Sequence, residues 1–247
     1  MIKGITGLDR VQISRLVEPV LGDSEIALAP RVLSPLAAVR ATLMYLRTNA
    51  SQAGIADIMG VSQPTISRTI SVITRIIAGA LGPLPATAEE IPHAGAYIID
   101  GTLLPCWSWK DQPDLWSGRH RRTGMSLQVL VSLTGHLRWA SDPPPGATRD
   151  SKAITTSGVL EQIDPSCCIA DKGYIGTGVV TLCKKSPNGE FTQAQRQVSK
   201  ALGRIRYVVK RTIAHIKAWK ILAHDYRRPL HTFKETITAT LVLYTYT

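Results

Sequence analysis

AYIIDGTLL, residues 96–104, is where the chain changes character. Its apolar, β-branched run reads as a buried strand, and the spacing predicts that the strand ends at Asp100. CIAD repeats the pattern and ends at Asp171, and each aspartate is followed by a glycine within two residues. SLQVLVSLTG and HLRWASD are further strand-like runs, and the Thr-Gly turn inside LVSLTGHLRWA predicts a β-hairpin. Asp150 is placed to cap a short helix, DSKAITTSGVLEQI. A long helix is expected from about Ala194 to Leu222, and a last apolar helix closes the chain. Strands alternating with helices, some of the strands antiparallel, predict an α/β domain.

Upstream of this stretch the pattern is helical. LDRVQISRLVEPVL and SPLAAVRATLMYLRTN carry apolar residues at three-to-four spacing, and Ser34 before Pro35 is a helix start. GPLPATAEEIPHAG, residues 82–95, is a breaker segment, so the boundary is set there: a helical region over 1–90 and an α/β domain over 96–247. Within the first, residues 51–77 read as two helices with Gly60 at the turn and Ser62 capping the second. Ile66, Ile70 and Ile73 form the inner stripe; Gln63, Thr65, Ser67 and Arg68 are left facing outward and, with the cap Ser62, are the candidate DNA contacts. That is a helix-turn-helix layout, with short polar side chains and an arginine where base edges are read. A helix pair with a glycine turn and no DNA role has the same spacing.

The 247 residues are 44% hydrophobic, enough for a real core. No apolar run approaches the roughly 20 residues that span a bilayer, and the start carries no secretory core. A soluble, intracellular protein is expected. Cys106, Cys167, Cys168 and Cys183 form no C-x-x-C pair and read as reduced, buried thiols. Net charge is +11, and it is uneven: 8 basic against 7 acidic residues over 1–95, but 21 against 11 over 96–247. From Arg196 to Lys234 there are 11 basic residues and one acid, Asp225. A polyanion is the natural partner, and nucleic acid is the commonest.

A carboxylate within an apolar strand is costly unless paired or coordinated. Asp100 and Asp171 on neighbouring strands would suit a hard divalent cation, which takes oxygen ligands. Two such ions about 4 Å apart can activate a water and stabilise a phosphodiester's leaving oxygen. Taken singly, each aspartate could merely cap a turn. Arg119, His120, Arg121 and Arg122 read as phosphate contacts. Trp107, Trp109 and Trp116 could stack on extruded bases or pack on the sheet. No G-x-x-x-x-G-K-[ST] phosphate loop occurs.

YIIDGTLLP, SGRHRRTGMSLQVL, PPPGATRDSKA, ADKGYIG and KRTIAHIKAWKIL follow one another in an order and spacing that resemble bacterial insertion-sequence transposases of the DDE type. Within them the chain is most similar to the group related to the Harbinger-like nucleases. The resemblance covers roughly 96–235 and implies a ribonuclease-H-like catalytic domain behind the helix-turn-helix. It implies an Asp-Asp-Glu triad holding two divalent ions, Mg2+ or Mn2+, that nick the strands at element ends and transfer the freed 3′ end to target DNA. Asp100 and Asp171 match the first two acids. Asp150 matches an acid after the Pro-Gly turn, with helix capping as its simplest job. The implied partners are double-stranded DNA, both terminal repeats and target, and further copies of the chain, with no membrane. The implied location is the bacterial cytoplasm, at the nucleoid.

The third acid of the pattern opens a Glu-Arg pair, with a lysine further along the helix. Here the stretch reads Lys210-Arg211, with Lys217 in the expected place, so Arg211 and Lys217 match DNA-facing charges while the glutamate has become lysine. An ammonium about 4 Å from a divalent ion costs on the order of 8 kcal/mol at an effective dielectric of about 20. One helical turn either way from Lys210 stand Arg206, Tyr207, Ile213 and Ala214, none acidic. Glu190, Asp225 and Glu235 lie off the helix. Two expectations follow: Lys210 pairs with Asp100 or Asp171 in place of a metal, and the chain either cleaves DNA as its family does or binds DNA as a silent remnant or repressor.

Overall fold

The computed structural model describes residues 2–22, 32–80, 88–92, 95–107, 111–182, 189 and 191–246. Trp109, Cys183 and Glu190 lie outside them. The chain packs as two compact units, Met1–Leu84 with His215–Thr247, and Pro85–Ala214.

The first unit is helical: α1 (Ile2–Thr6), α2 (Arg10–Gly22), α3 (Pro35–Thr48), α4 (Gln52–Met59), α5 (Gln63–Ala80) and, after the second unit's elements, α9 (Lys220–Ala223) and α10 (Phe233–Tyr246). Helix starts follow the cap chemistry. Ser34 Oγ accepts from Ala37 N at 3.3 Å with Pro35 behind it, and Ser51 Oγ accepts from Gly54 N at 3.1 Å. Gly60 ends α4 at φ 66°, a left-handed conformation that suits glycine. The core comes from one stripe per helix: Leu43 and Leu46 of α3, Ile66, Ile70 and Ile73 of α5, and Phe233 and Val242 of α10 are all fully buried. The ring of Tyr226 stacks on Phe233 with centroids 4.2 Å apart. By contacts, the segment from His215 packs with the helical unit: α10 packs on α5.

The second unit carries a six-stranded mixed sheet: β1 (Tyr97–Pro105), β2 (Trp116–Ser117), β3 (Arg122–Ser132), β4 (Leu137–Ala140), β5 (Cys168–Ala170) and β6 (Val180–Thr181). The order is β2-β3-β1-β5-β6, with β4 also paired to β3. β1 runs antiparallel to β3, with Asp100 opposite Val129 and Gly101 opposite Gln128. It runs parallel to β5 only at Tyr97 and Ile98. The expected hairpin is present, with Gly135 turning between β3 and β4 at φ 93°. Helices α6 (Asp150–Thr156) and α7 (Val159–Gln162) cover one face, where Tyr97, Ile99, Leu130, Cys168, Ile154 and Val159 form the core. α8 (Gln193–Ile216) follows.

Three expectations change. β1 does not end at Asp100; it runs on to Pro105, because Thr102 to Pro105 stay paired with β3. The long helix ends at Ile216 rather than Leu222, and Trp219, 2% exposed, starts α9 instead. Asp150 is not the cap of α6: Arg149 holds the cap position and Asp150 is the first helical residue.

Candidate functional site

Alternation along β1 puts Asp100 and Gly101 on opposite faces of the sheet. Past Ile98, β1 has no further pairing with β5, and Asp171 follows directly on the end of β5. Both carboxylates therefore border the same gap, as the sequence suggests. What fills the gap is an arginine. Arg206 of α8, 6% exposed, reaches Asp171 Oδ1 with Nη1 at 3.2 Å and Asp100 Oδ1 with Nη2 at 3.5 Å. Its Nε is buried with no hydrogen-bond partner among the described residues.

A third carboxylate arrives from the other side. Asp150 Oδ2 accepts from Arg119 Nη1 at 2.5 Å, and Arg119 Nη2 lies 3.8 Å from Asp171 Oδ2. Asp150 Oδ1 accepts from Gln128 Nε2 at 3.3 Å. The Gln128 carboxamide is fully buried and also accepts from the Tyr174 hydroxyl. The two glycines beside the strand aspartates make this approach possible. A Cβ on Gly101 would lie 2.6 Å from Asp150 Oδ1, and one on Gly173 would lie 3.0 Å from Asp150 Oδ2. Asp150 and Arg119 border a cavity of about 620 Å³ with Asp171, Ser126 and His120.

Burial pushes the Asp100 carboxyl above the ordinary carboxylate range, and Asp171 and Asp150 push it the same way. The Arg206 guanidinium and the Gly101 amide, which donates to Asp100 Oδ1 at 3.1 Å, oppose the shift without cancelling it. Burial likewise raises the Tyr174 phenol, which stays a neutral donor to Gln128.

Lys210 does not pair with either aspartate. It is exposed, one turn beyond Arg206, and Arg206 takes the position expected of it. Arg211 is exposed and Lys217 half-buried. Arg119 turns onto carboxylates, while Arg121 and Arg122 are exposed. Trp107 and Trp116 are 60% and 51% exposed, so neither is packed into the core. Arg206, Gln128 and Tyr174 are the residues that sequence reasoning missed, and Asp150, matched to an acid of the family pattern, was given only a capping job. The signal for Asp150 was the pair of glycines, each within two residues of a strand aspartate.

At the helix pair, Ser62 and Gln63 are exposed, as is Arg68, and Ser67 is half-buried. Gln63 Nε2 donates to Gln52 Oε1 at 2.9 Å, tying the two helix starts together. Thr65 does not face outward. It is 9% exposed, its Oγ1 lies 2.9 Å from Ser62 Oγ, and its amide donates to that oxygen at 3.4 Å, so it completes the cap.

The family model described as DDE superfamily endonuclease matches residues 99–245, more than half of the chain. The chain belongs to the DDE superfamily endonucleases. A second model, the helix-turn-helix of DDE superfamily endonuclease, matches residues 32–83, so the DNA-binding element takes in α3 as well as α4 and α5. A transposase ascribed to insertion sequence element IS112 of Streptomyces albus G is 28% identical over 181 residues, covering 72% of this chain and 67% of its own. One ascribed to insertion sequence element IS702 of Microchaete diplosiphon is 25% identical over 238 residues, covering 91% and 86%. No solved structure matches the chain. Among the described residues no helix is long and apolar enough to cross a membrane.

DDE superfamily endonucleases generally use divalent metal ions, and the donors of this member do not fit a pair of them. Asp150 packs against Gly101, on the face of β1 opposite to Asp100, and guanidinium groups bridge Asp100 to Asp171 and Asp150 to Asp171. Among the described residues no three His, Cys, Asp or Glu side chains are grouped to hold a metal ion. An ion bridging Asp100 and Asp171 about 4 Å from the Arg206 guanidinium would meet a repulsion of order 8 kcal/mol at an effective dielectric of about 20.

Proposed function

We propose that the chain is an insertion-element transposase by descent that binds DNA and, as its sequence now stands, lacks two-metal strand cleavage. The observation that carries this reading is Arg206, seated between Asp100 and Asp171 while the third-acid position holds an exposed lysine, Lys210. A buried cation there satisfies both carboxylates that the family's chemistry needs free. Recognition is intact in outline. Gln63, Ser67 and Arg68 are placed to meet base edges, with Ser62 at the helix start, and Arg121, Arg122, Arg211 and Lys217 to meet phosphates. A sheet in which β4, β3 and β1 run antiparallel and β5 and β6 parallel supports the ribonuclease-H-like reading.

The test is a cleavage and binding assay on duplexes carrying element ends, with Mg2+ or Mn2+. The chain is expected to bind without cutting, and Lys210→Glu with Arg206→Gln to restore cutting. Strand cleavage by the unaltered chain would overturn the reading.

One observation favours a second reading. Asp150 brings a third carboxylate to the site, 15% exposed in its side chain and held by Arg119, whose own side chain is 59% exposed. In that reading Asp150 substitutes for the lost glutamate and the chain cuts DNA. Cleavage by the unaltered chain that is lost in Asp150→Asn and kept in Lys210→Ala identifies it.

A further inference from the structure

The helical unit holds a second polar site that strand chemistry does not use. A cavity of about 340 Å³ lies at the start of α4, bordered by Tyr45, Ser51, Gln52, Ala53, Arg227 and Arg228. α4 has eight residues, and its N-terminus is only partly satisfied. Gly54 N donates to Ser51 Oγ at 3.1 Å and Ile55 N to Ser51 O at 3.1 Å, while the amides of Gln52 and Ala53 have no partner among the described residues.

Two guanidinium groups flank those amides, and neither is paired with a carboxylate among the described residues. Both are held in place by neutral oxygens. Arg227 Nη2 donates to Asn49 O at 2.6 Å and to Asn49 Oδ1 at 3.3 Å, and Arg228 Nη2 donates to Ser71 Oγ at 2.5 Å. Carbonyls and hydroxyls orient a guanidinium without neutralising it. The cavity therefore carries two fixed positive charges and the positive end of a helix dipole.

An independent observation comes from Tyr45. It is 2% exposed, yet its hydroxyl makes no hydrogen bond among the described residues. Burial raises its phenol pKa and the two arginines act to lower it, so the hydroxyl shares their surroundings as a neutral donor. Amides, guanidinium groups and phenol are all donors. The ring holds no carboxylate; its amide side chains are Gln52, whose oxygen accepts from Gln63, and Gln63 itself.

We propose that this cavity is a phosphate seat, formed by the α4 amides, Tyr45, Arg227 and Arg228. In the DNA-binding reading its occupant is a backbone phosphate beside the bases met by α5; a free phosphate ion has the same chemistry. The C-terminal segment thereby takes part in holding DNA, through residues that carry no sequence preference.

The experiment compares the full chain with Arg227→Gln/Arg228→Gln, Arg227→Lys/Arg228→Lys and Tyr45→Phe. Duplex affinity is measured across a salt series, with and without element ends, and thermal stability with and without inorganic phosphate. The glutamine pair is expected to reduce the slope of log affinity against log salt by about 1–2, near 0.9 per lost contact, for both duplexes alike. The lysine pair restores the slope. Tyr45→Phe weakens binding several-fold without lowering stability in the free protein, which a merely structural hydroxyl would not do. If phosphate raises the melting temperature of the native chain but not of the glutamine pair, while the DNA slope is unmoved, the occupant is the free ion. If neither slope nor phosphate-dependent melting changes, the seat does not exist. A native chain with no element-end preference, whose salt slope the glutamine pair still lowers, would count against the reader helix and leave the seat standing.

Discussion

Arg206 on α8 holds Asp171 at 3.2 Å, and the same guanidinium reaches Asp100 at 3.5 Å. Both contacts are largely removed from water. Breaking a buried pair by deleting one partner costs about 3–5 kcal/mol, because the remaining charges are left uncompensated. Arg206→Met is therefore expected to lower unfolding free energy by about that amount, read from a urea titration. The vacated carboxylates should then attract cations: Mn2+ raises the melting temperature of the variant and not of the native chain. A loss below about 1 kcal/mol, or an equal Mn2+ response in both proteins, would sink this account of Arg206.

Gly101 is small for a stated reason: its missing Cβ leaves room for the Asp150 carboxylate and the Gln128 carboxamide, which would lie 2.6 and 2.8 Å away. Gly101→Ala should cost about 1–3 kcal/mol as overpacking. Combining it with Asp150→Ser should recover part of that loss, since the crowding atom is gone. Measured stabilities of the two single variants and the double variant decide it. Strict additivity would mean that the glycine serves some other neighbour.

Much of the helical unit was legible because helix ends are local chemistry: Ser34-Pro35, Ser51 and Gly60 do in the structure what their residue types do anywhere. Asp100 and Asp171 were legible because a carboxylate in an apolar run is costly. Asp150 was legible only through the family pattern, because its own neighbours are polar and the glycine it packs against, Gly101, lies 49 positions earlier in the chain. Arg206 was inside the helical turn that sequence reasoning inspected for an acid. Periodicity says which residues share a face; it does not say what stands opposite. The end of α8 at Ile216 has no glycine or proline to announce it. Trp219 leaves the helix because its ring is buried in the helical unit, with the Arg47 guanidinium 5.5 Å from its centroid.

Thr65 and Arg68 sit on the first turns of one helix and should separate under mutation. Thr65 is buried and bonded to Ser62, so Thr65→Ala is expected to cost on the order of 1 kcal/mol of stability and leave sequence preference unchanged. Arg68 is exposed, its Nε donating to Pro64 O at 3.3 Å, so Arg68→Ala should leave stability within about 0.5 kcal/mol. Element-end preference over unrelated duplex should fall by about 10-fold or more, the worth of one good base contact. Thermal melts and competition binding test both halves. The reverse pattern would move the reading surface elsewhere.

Cys168 is fully buried on β5, and burial, with Cys167 and Asp164 beside it, pushes its thiol pKa up to about 12 from an ordinary 9.0. The native state thus binds a proton more tightly than the unfolded chain does. Stability from this group is complete below the ordinary thiol pKa and drains away as pH rises from about 9 towards about 12. At pH 8.5 the folded thiolate fraction is of order 1 in 3000, and only thiolate alkylates. Iodoacetamide should therefore spare Cys168 in the folded chain and label it on denaturation, with mass spectrometry reading the sites. Cys168→Ala should flatten the loss of stability between pH 9 and 11, at the cost of a small cavity. Prompt labelling of Cys168 under native conditions would show that β5 opens, and that the strand holding Asp171 is not a fixed edge of the site.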